Sequence, residues 1–220
     1  MLTIAELEIA DPPQPWREAG FVVGEDGAAQ VGGVRLRFAG RERGRGIVGW
    51  SLGGLPEAWA AGDLDGVPTS RAADAPAATE LPAEHPNGVT VIDHVVLLSP
   101  DLHRTRAALA ALGALGAGER RVRDGQLGGA PVRQVFYRFG EVVLEVVGAP
   151  DAAGEGPSSL WGVTFTVADI DAAAALLGER TAPVKDAVQP GRRITTVRHR
   201  DLGMSVRTAL ISAPVRRATR

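Results

Sequence analysis

The chain has 220 residues, 45% hydrophobic and 23% charged, with 24 Lys and Arg against 26 Asp and Glu. That length suits one large domain or two small ones with a sizeable core, and the near-neutral balance excludes a disordered chain and a global positive field for gathering nucleic acid. Zero cysteines exclude disulfides, thiolate metal sites and a cysteine nucleophile, and an N-terminus without a basic and apolar leader predicts a cytoplasmic protein with no membrane contact.

The first predicted element is the run Ile4 to Ala10, followed by Asp11, a short helix around Trp16 and a turn at Gly20. Strand-like Val34 to Phe38 and Gly46 to Leu52 come next and complete a shortened module over residues 1–54. Between them Arg41, Arg43 and Arg45 alternate with Glu42 and glycines around a turn. No aromatic side chains interleave these arginines, so they read as an exposed loop and not as a nucleic-acid site. Gly49-Trp50-Ser51-Leu52-Gly53 fits G-x-S-x-G, which would make Ser51 the nucleophile of a serine hydrolase. Its context argues against that, because Pro56 follows where the elbow pattern needs a helix. Residues 55–88 hold Pro56, Pro68, Pro76, Pro82 and Pro86 without a period of 2 or 3.6, and predict a linker.

Beyond residue 88 the chain repeats itself. The run from Ile92 to Leu102 lays over the run from Leu160 to Ile170, each a β-rich stretch, an Asp able to cap a helix, and the start of an alanine-rich helix. The first helix is predicted from Leu102 to Leu112 with a stop at Gly113, the second from Asp171 to Leu177 with a stop at Gly178. Arg133 to Phe139 and Glu141 to Val147, joined at Gly140, follow the first helix. Arg192 to Arg198 and Met204 to Ser212, separated by Gly203, follow the second. Residues 89–150 and 151–220 each read β-α-β-β-β, which makes the predicted fold class α+β, with a degenerate third module at the N-terminus.

Several side chains on these elements carry chemistry. His94 alternates with Ile92, Val96 and Leu98, so it is expected to share their face, as a satisfied core histidine or as a site residue. Glu145 shares a face with Val143 and Val147, where a carboxylate is costly to bury unless paired. Together they would form a hydrogen-bonded dyad able to move a proton without a metal. Gln189-Pro190-Gly191-Arg192-Arg193 enters a strand of the second module, and Arg192 or Arg193 would grip a carboxylate or phosphate there unless the loop is simply solvated. Phe136, Trp161, Thr164 and Phe165 sit on strands, where they line a pocket or belong to the core.

The motifs Asp93-His94-Val95-Val96, Gly140 to Val147 and Val163 to Ile170, in this repeated order, resemble the vicinal oxygen chelate superfamily of glyoxalase I, extradiol dioxygenases, fosfomycin-resistance enzymes and bleomycin-binding proteins. The resemblance implies paired modules forming a curved mixed sheet whose concave face holds a divalent metal, Mn, Fe, Ni or Zn. It assigns His94 and Glu145 as metal ligands, with Glu145 also moving the proton. Laying one module on the other puts Gly162 and Thr208 where the second pair of ligands would stand. That leaves a third ligand to His199, Asp201, Glu141 or a neighbouring chain. The implied activity is that of a glyoxalase-like lyase or isomerase acting on a small polar or carboxylated molecule, with Gln189, Arg192, Arg193, Phe136, Trp161 and Thr164 at the substrate. A nonenzymatic, drug-sequestering protein that has lost the metal is the alternative, and modules pairing between chains would make a homodimer.

Overall fold

The structure, a computed structural model, describes residues 1–59, 62–73, 84–113 and 119–214. Strand β1 (Thr3–Ile9) leads into α1 (Pro13–Glu18), β2 (Ala28–Val31), β3 (Val34–Phe38) and β4 (Ile47–Gly53), then the hairpin β5 (Gly62–Leu64) and β6 (Val67–Arg71). The second part runs β7 (Val89–Leu98), α2 (Leu102–Ala111), β8 (Glu119–Leu127), β9 (Ala130–Phe139), β10 (Val142–Gly148), β11 (Ser159–Val167), α3 (Ile170–Leu177), β12 (Lys185–Asp186), β13 (Arg193–Thr196) and β14 (Arg207–Ser212).

Local sequence explains the two helices that flank the site. Asp101 accepts a hydrogen bond from the Arg104 N–H at 3.0 Å, and Asp169 accepts from the Asp171 and Ala172 N–H groups at 2.9 and 3.1 Å, so each helix starts on a side-chain cap. Helix α2 buries Leu102, Thr105 and Leu109, and α3 buries Ile170, Ala173 and Leu177, one stripe in each case at helical spacing. Both stripes lie against the sheet face that carries Val95, Leu97, Leu144, Val146, Val163 and Phe165, none more than 2% exposed. At roughly 25 cal/mol per Å², burying each such side chain contributes about 1.5–3 kcal/mol, so this face fixes which side of the sheet is left for a ligand.

Among the described residues fourteen strands join in one mixed sheet. In the second part β7 pairs antiparallel with β11, and each carries its own module outward: β7 pairs parallel with β10, then β9 and β8, while β11 pairs parallel with β14, then β13 and β12. This is the expected α+β architecture of repeated β-α-β-β-β modules in a curved mixed sheet. The first part copies the plan in reduced form, with β1 and β4 antiparallel at the centre, β3 and β2 beside β1, and β6 and β5 beside β4. Among the described residues a single pairing, Leu160 with Ile47, joins the two parts of the sheet.

Two expectations are corrected here. Residues 62–71, assigned to a linker, form β5 and β6, because Asp65-Gly66 makes a tight hairpin turn with both residues at positive φ, 52° and 88°. Strand β4, expected to finish the N-terminal module, instead starts a second, helix-free unit on the far side of β1. Ser51 lies inside β4, paired with Glu6 and Ser70, and so does not sit on the strand-to-helix turn that a hydrolase nucleophile requires. No helix among the described residues is long and apolar enough to cross a membrane.

The seam between the parts is polar as well as apolar. Trp16, Phe21 and Phe38 from the first part meet Phe165 of β11, with Phe21 and Phe165 ring centres 5.1 Å apart. Fully buried Asp11 accepts from Trp16 Nε1 at 3.0 Å and from the Ser205 N–H at 2.9 Å, and pairs with Arg41. Asp65 accepts from Arg104, Thr105 and Ser158. Burial alone would raise its carboxyl, but these hydrogen bonds outweigh that and hold it below the ordinary range.

Candidate functional site

On the face away from α2 and α3, the strands β7, β9, β10, β11 and β14 enclose a cup of about 320 Å³. Two β-bulges shape its floor. Thr164 pairs with His94 but Phe165 pairs with Ile92, which makes Asp93 an extra residue on β7; Leu160 pairs with Leu97 and Gly162 with Val96, which makes Trp161 an extra residue on β11. The first bulge corrects the expected alternation, since Ile92 turns into the core at 2% exposed while Asp93 and His94 are both only half-buried. His94, Val96 and Leu98 line the cup.

A chain of polar contacts crosses this floor. The Arg192 guanidinium, on a residue 8% exposed, donates from Nη1 to Asp93 Oδ1 at 2.6 Å, from Nη2 to Thr166 Oγ1 at 3.3 Å and from Nε to the Ser212 carbonyl at 2.7 Å. Burial would raise the Asp93 carboxyl, but hydrogen bonds from His94 and Arg192, with the charge of each, hold it below the usual carboxylate range. An ionised Asp93 only accepts, so the 2.8 Å contact between Asp93 Oδ2 and His94 Nδ1 is donated by the imidazole. Nε2, the ring nitrogen that Asp93 does not engage, is turned to the cup. Nε2 lies 3.7 Å from Glu145 Oε2, while Glu145 Oε1 accepts from Gln134 Nε2. Nε2 of His94 and Oε2 of Glu145 thus face each other at the site with no hydrogen bond committed between them.

The structure brings His94, Glu145, Trp161 and Thr164 to the cup and leaves the other expected substrate residues outside its lining. Arg192 is not at the rim, because three acceptors hold its guanidinium in a buried position. Arg193 is exposed and forks onto Asp171, with contacts of 3.0 and 2.6 Å. Gln189 is exposed in the turn closed by the Arg192 N–H, and Phe136, half-buried, stands across from Glu145 on β9 without reaching the lining. Phe165 is core, fully buried. Asp93, Gln134 and Arg207 were missed. Asp93 is adjacent to His94 in sequence, but only the bulge turns both toward one side, and nothing in the sequence marks that bulge.

The second module supplies no matching metal ligands. Val96 pairs with Glu145 across β7 and β10, and Thr164 pairs with Ala209 across β11 and β14, so the counterpart of Glu145 is Ala209. Thr208, the expected counterpart, lies in the row of buried Val163 and is 3% exposed. Gly162 stands where the second His or Gln would, and a Cβ there would lie 2.8 Å from the Arg207 carbonyl oxygen, closer than real Cβ atoms approach. No group of three His, Asp or Glu among the described residues is placed to hold a metal ion. One imidazole and one carboxylate do not make the three- or four-ligand set that a transition metal needs, so the residues present do not fit the implied metal.

Residues 93–197 match the sequence profile of the Glyoxalase/Bleomycin resistance protein/Dioxygenase superfamily. No curated protein matches the chain. Among solved structures, a triple mutant of 4-hydroxymandelate synthase from Streptomyces coelicolor is similar over 99% of this chain and 94% of its own, at 17% identity and a TM-score of 0.65. Methylmalonyl-CoA epimerase from Mycobacterium tuberculosis is similar over 58% of this chain and 91% of its own, at 19% identity and a TM-score of 0.43. A variant of the Streptomyces coelicolor methylmalonyl-CoA epimerase in complex with 2-nitronate-propionyl-CoA is similar over 58% and 99%, at 22% identity and a TM-score of 0.43. Residues 93–197, in which β7 and β11 pair beside an open cup, carry a domain of the Glyoxalase/Bleomycin resistance protein/Dioxygenase superfamily.

Proposed function

We propose that the cup binds a small carboxylated molecule and that His94 and Glu145 move a proton on it without a resident metal, as in a lyase or isomerase. The observation that carries this reading is the Arg192–Asp93–His94 chain, which fixes the imidazole tautomer and aims Nε2 at the cup beside Glu145 Oε2. A substrate carbon lying over that pair would give up a proton to one of the two groups, and the group protonated in that step would return it to the carbanion or enolate, which is general acid–base chemistry with one proton carried back and forth. Apolar Val96, Leu98, Val132 and Val147 exclude water around it. Residues 89–150 and 151–220 form the site in this reading, and the N-terminal region supports it.

The test is proton exchange on an enolisable carboxylate. Incubated in D₂O with 2-oxobutanoate, the protein is expected to speed exchange of the C3 protons, and Glu145→Gln and His94→Asn to lose about 10²-fold or more of that rate. The same rate is expected from protein loaded with Mn, Fe, Ni or Zn and from protein treated with chelator. Near-stoichiometric metal that disappears in His94→Ala, together with exchange that requires it, would overturn the metal-free reading. The absence of ligands at Gly162 and Ala209 also favours a second reading, a nonenzymatic binder, which is the outcome if carboxylates bind and no exchange is catalysed.

A further inference from the structure

The half of the cup that lacks His and Glu is not featureless. Trp161 is turned out by its bulge, and the Arg207 guanidinium carbon sits 4.7 Å from the centre of its ring. Gly162 makes this possible: the missing side chain leaves the space into which the Arg207 stem would otherwise collide, with the Arg207 Cβ only 3.2 Å from where a residue-162 Cβ would be. Arg207 lines the cup, is exposed, and has no carboxylate within ion-pair distance among the described residues. By contrast Arg192 is consumed by Asp93, and His199, the other basic group of this wall, is driven below its ordinary range by burial, with the Arg207 and Arg200 charges adding to that.

We propose that Arg207, held on Trp161, is the anion-recognising residue of the cup, and that the ligand is a flat monocarboxylate. This rests on the cup-binding reading above and adds which end of the ligand goes where. A guanidinium stacked on an indole keeps its N–H edge free and planar, the geometry that grips a carboxylate through two parallel hydrogen bonds. Charge sets the class. Among the described residues the cup holds one uncommitted guanidinium and the Glu145 carboxyl, which suits a single negative charge at the Arg207 end and disfavours a phosphate dianion. Strand spacings of about 4.8 Å and a rise of about 3.3 Å per residue put the Cα atoms of His94 and Arg207 about 12 Å apart. The cup volume equals about ten waters, so the ligand has on the order of ten non-hydrogen atoms between the two ends.

The probe is 2-naphthoate, with 2-naphthamide as its uncharged counterpart and phenyl phosphate as the dianion, each titrated calorimetrically against the full chain. Naphthoate has no exchangeable proton next to its carboxylate, so this binding test stands or falls apart from the proton-transfer reading. The acid is expected to bind at least ~tenfold tighter than the amide, and Arg207→Gln to erase that preference. Arg207→Lys, which keeps the charge, is expected to retain a preference for the acid, and equal melting temperatures of both variants show that the fold is kept. The proposal is overturned if Arg207→Gln leaves the preference intact, if phenyl phosphate binds more tightly than naphthoate, or if neither naphthalene probe binds at millimolar concentration.

Discussion

The molecule builds the same cup twice and uses it in two ways. In the N-terminal part the floor strand β1 carries Glu6 and Glu8, and each is already paired: Glu6 with Arg35 and Arg37 at 3.1 and 3.0 Å, Glu8 with Arg37 and Arg43 at 2.8 and 3.1 Å. In the second part the floor strand β7 carries Asp93 and His94; Asp93 is consumed by Arg192, but that pairing leaves His94 Nε2 and Glu145 Oε2 open to the cup. Charged side chains that neutralise one another across the whole floor make a surface, whereas a buried pair at one end of the floor orients the imidazole beside it. What separates scaffold from site is therefore how many of the floor's charged groups the ion pairs use up, both glutamates in one part and Asp93 but not Glu145 in the other.

Breaking the hidden pair sharpens this contrast most. Arg192→Met would leave the Asp93 carboxylate, 16% exposed, without its main cationic partner, and loss of one member of a buried pair costs about 3–5 kcal/mol. Urea denaturation is expected to show a loss of that size, and deuterium exchange on 2-oxobutanoate to fall with it, because His94 loses its anchored orienting group. If the stability of Arg192→Met stays within 1 kcal/mol of the parent, a figure typical of exposed pairs, the hidden-pair account is wrong. A smaller effect is expected at Gly162→Ala. The added Cβ meets the Arg207 backbone, so β11 and β14 must shift, at about 1–3 kcal/mol. The shift also moves Arg207 off Trp161, so the preference for naphthoate over naphthamide is expected to weaken even where the variant remains folded.

The sequence carried much of the fold and half of the site, for identifiable reasons. Helices α2 and α3 were legible because each couples a capping Asp to an apolar stripe, and their observed starts at Leu102 and Ile170 fall within a residue of the prediction. Strand β8 was harder to see, since Glu119 to Leu127 is an edge strand rich in charge and interrupted by Gly125. The hairpin at 62–71 was hidden by the prolines around it, although Asp65-Gly66 between Leu64 and Val67 is itself a hairpin signal. In the site, His94 and Glu145 announced themselves as polar residues on apolar strands. Arg207 did not, because an arginine near a chain end reads as surface until the register places it opposite Gly162, and bulges change register without leaving a mark in composition.

The weakest of the expected effects tests the other side of the comparison. Glu6→Gln removes one carboxylate from the N-terminal cup, where Glu6 is 22% exposed and its partners Arg35 and Arg37 are 39% and 40% exposed. Solvent already screens these charges, and Gln keeps the volume and an accepting oxygen, so the expected loss is about 0.2–1 kcal/mol by urea denaturation, shrinking further at high salt. Arg37 retains Glu8, at 2.8 Å, so the network thins without collapsing. Because Leu160 and Ile47 are the one pair across the sheet junction among the described residues, such a local change has no long strand ladder through which to reach His94. Naphthoate affinity and deuterium exchange in Glu6→Gln are therefore expected to equal those of the parent. A variant that loses either one would show that the N-terminal cup takes part in the chemistry, and that its ion pairs do more than close a surface.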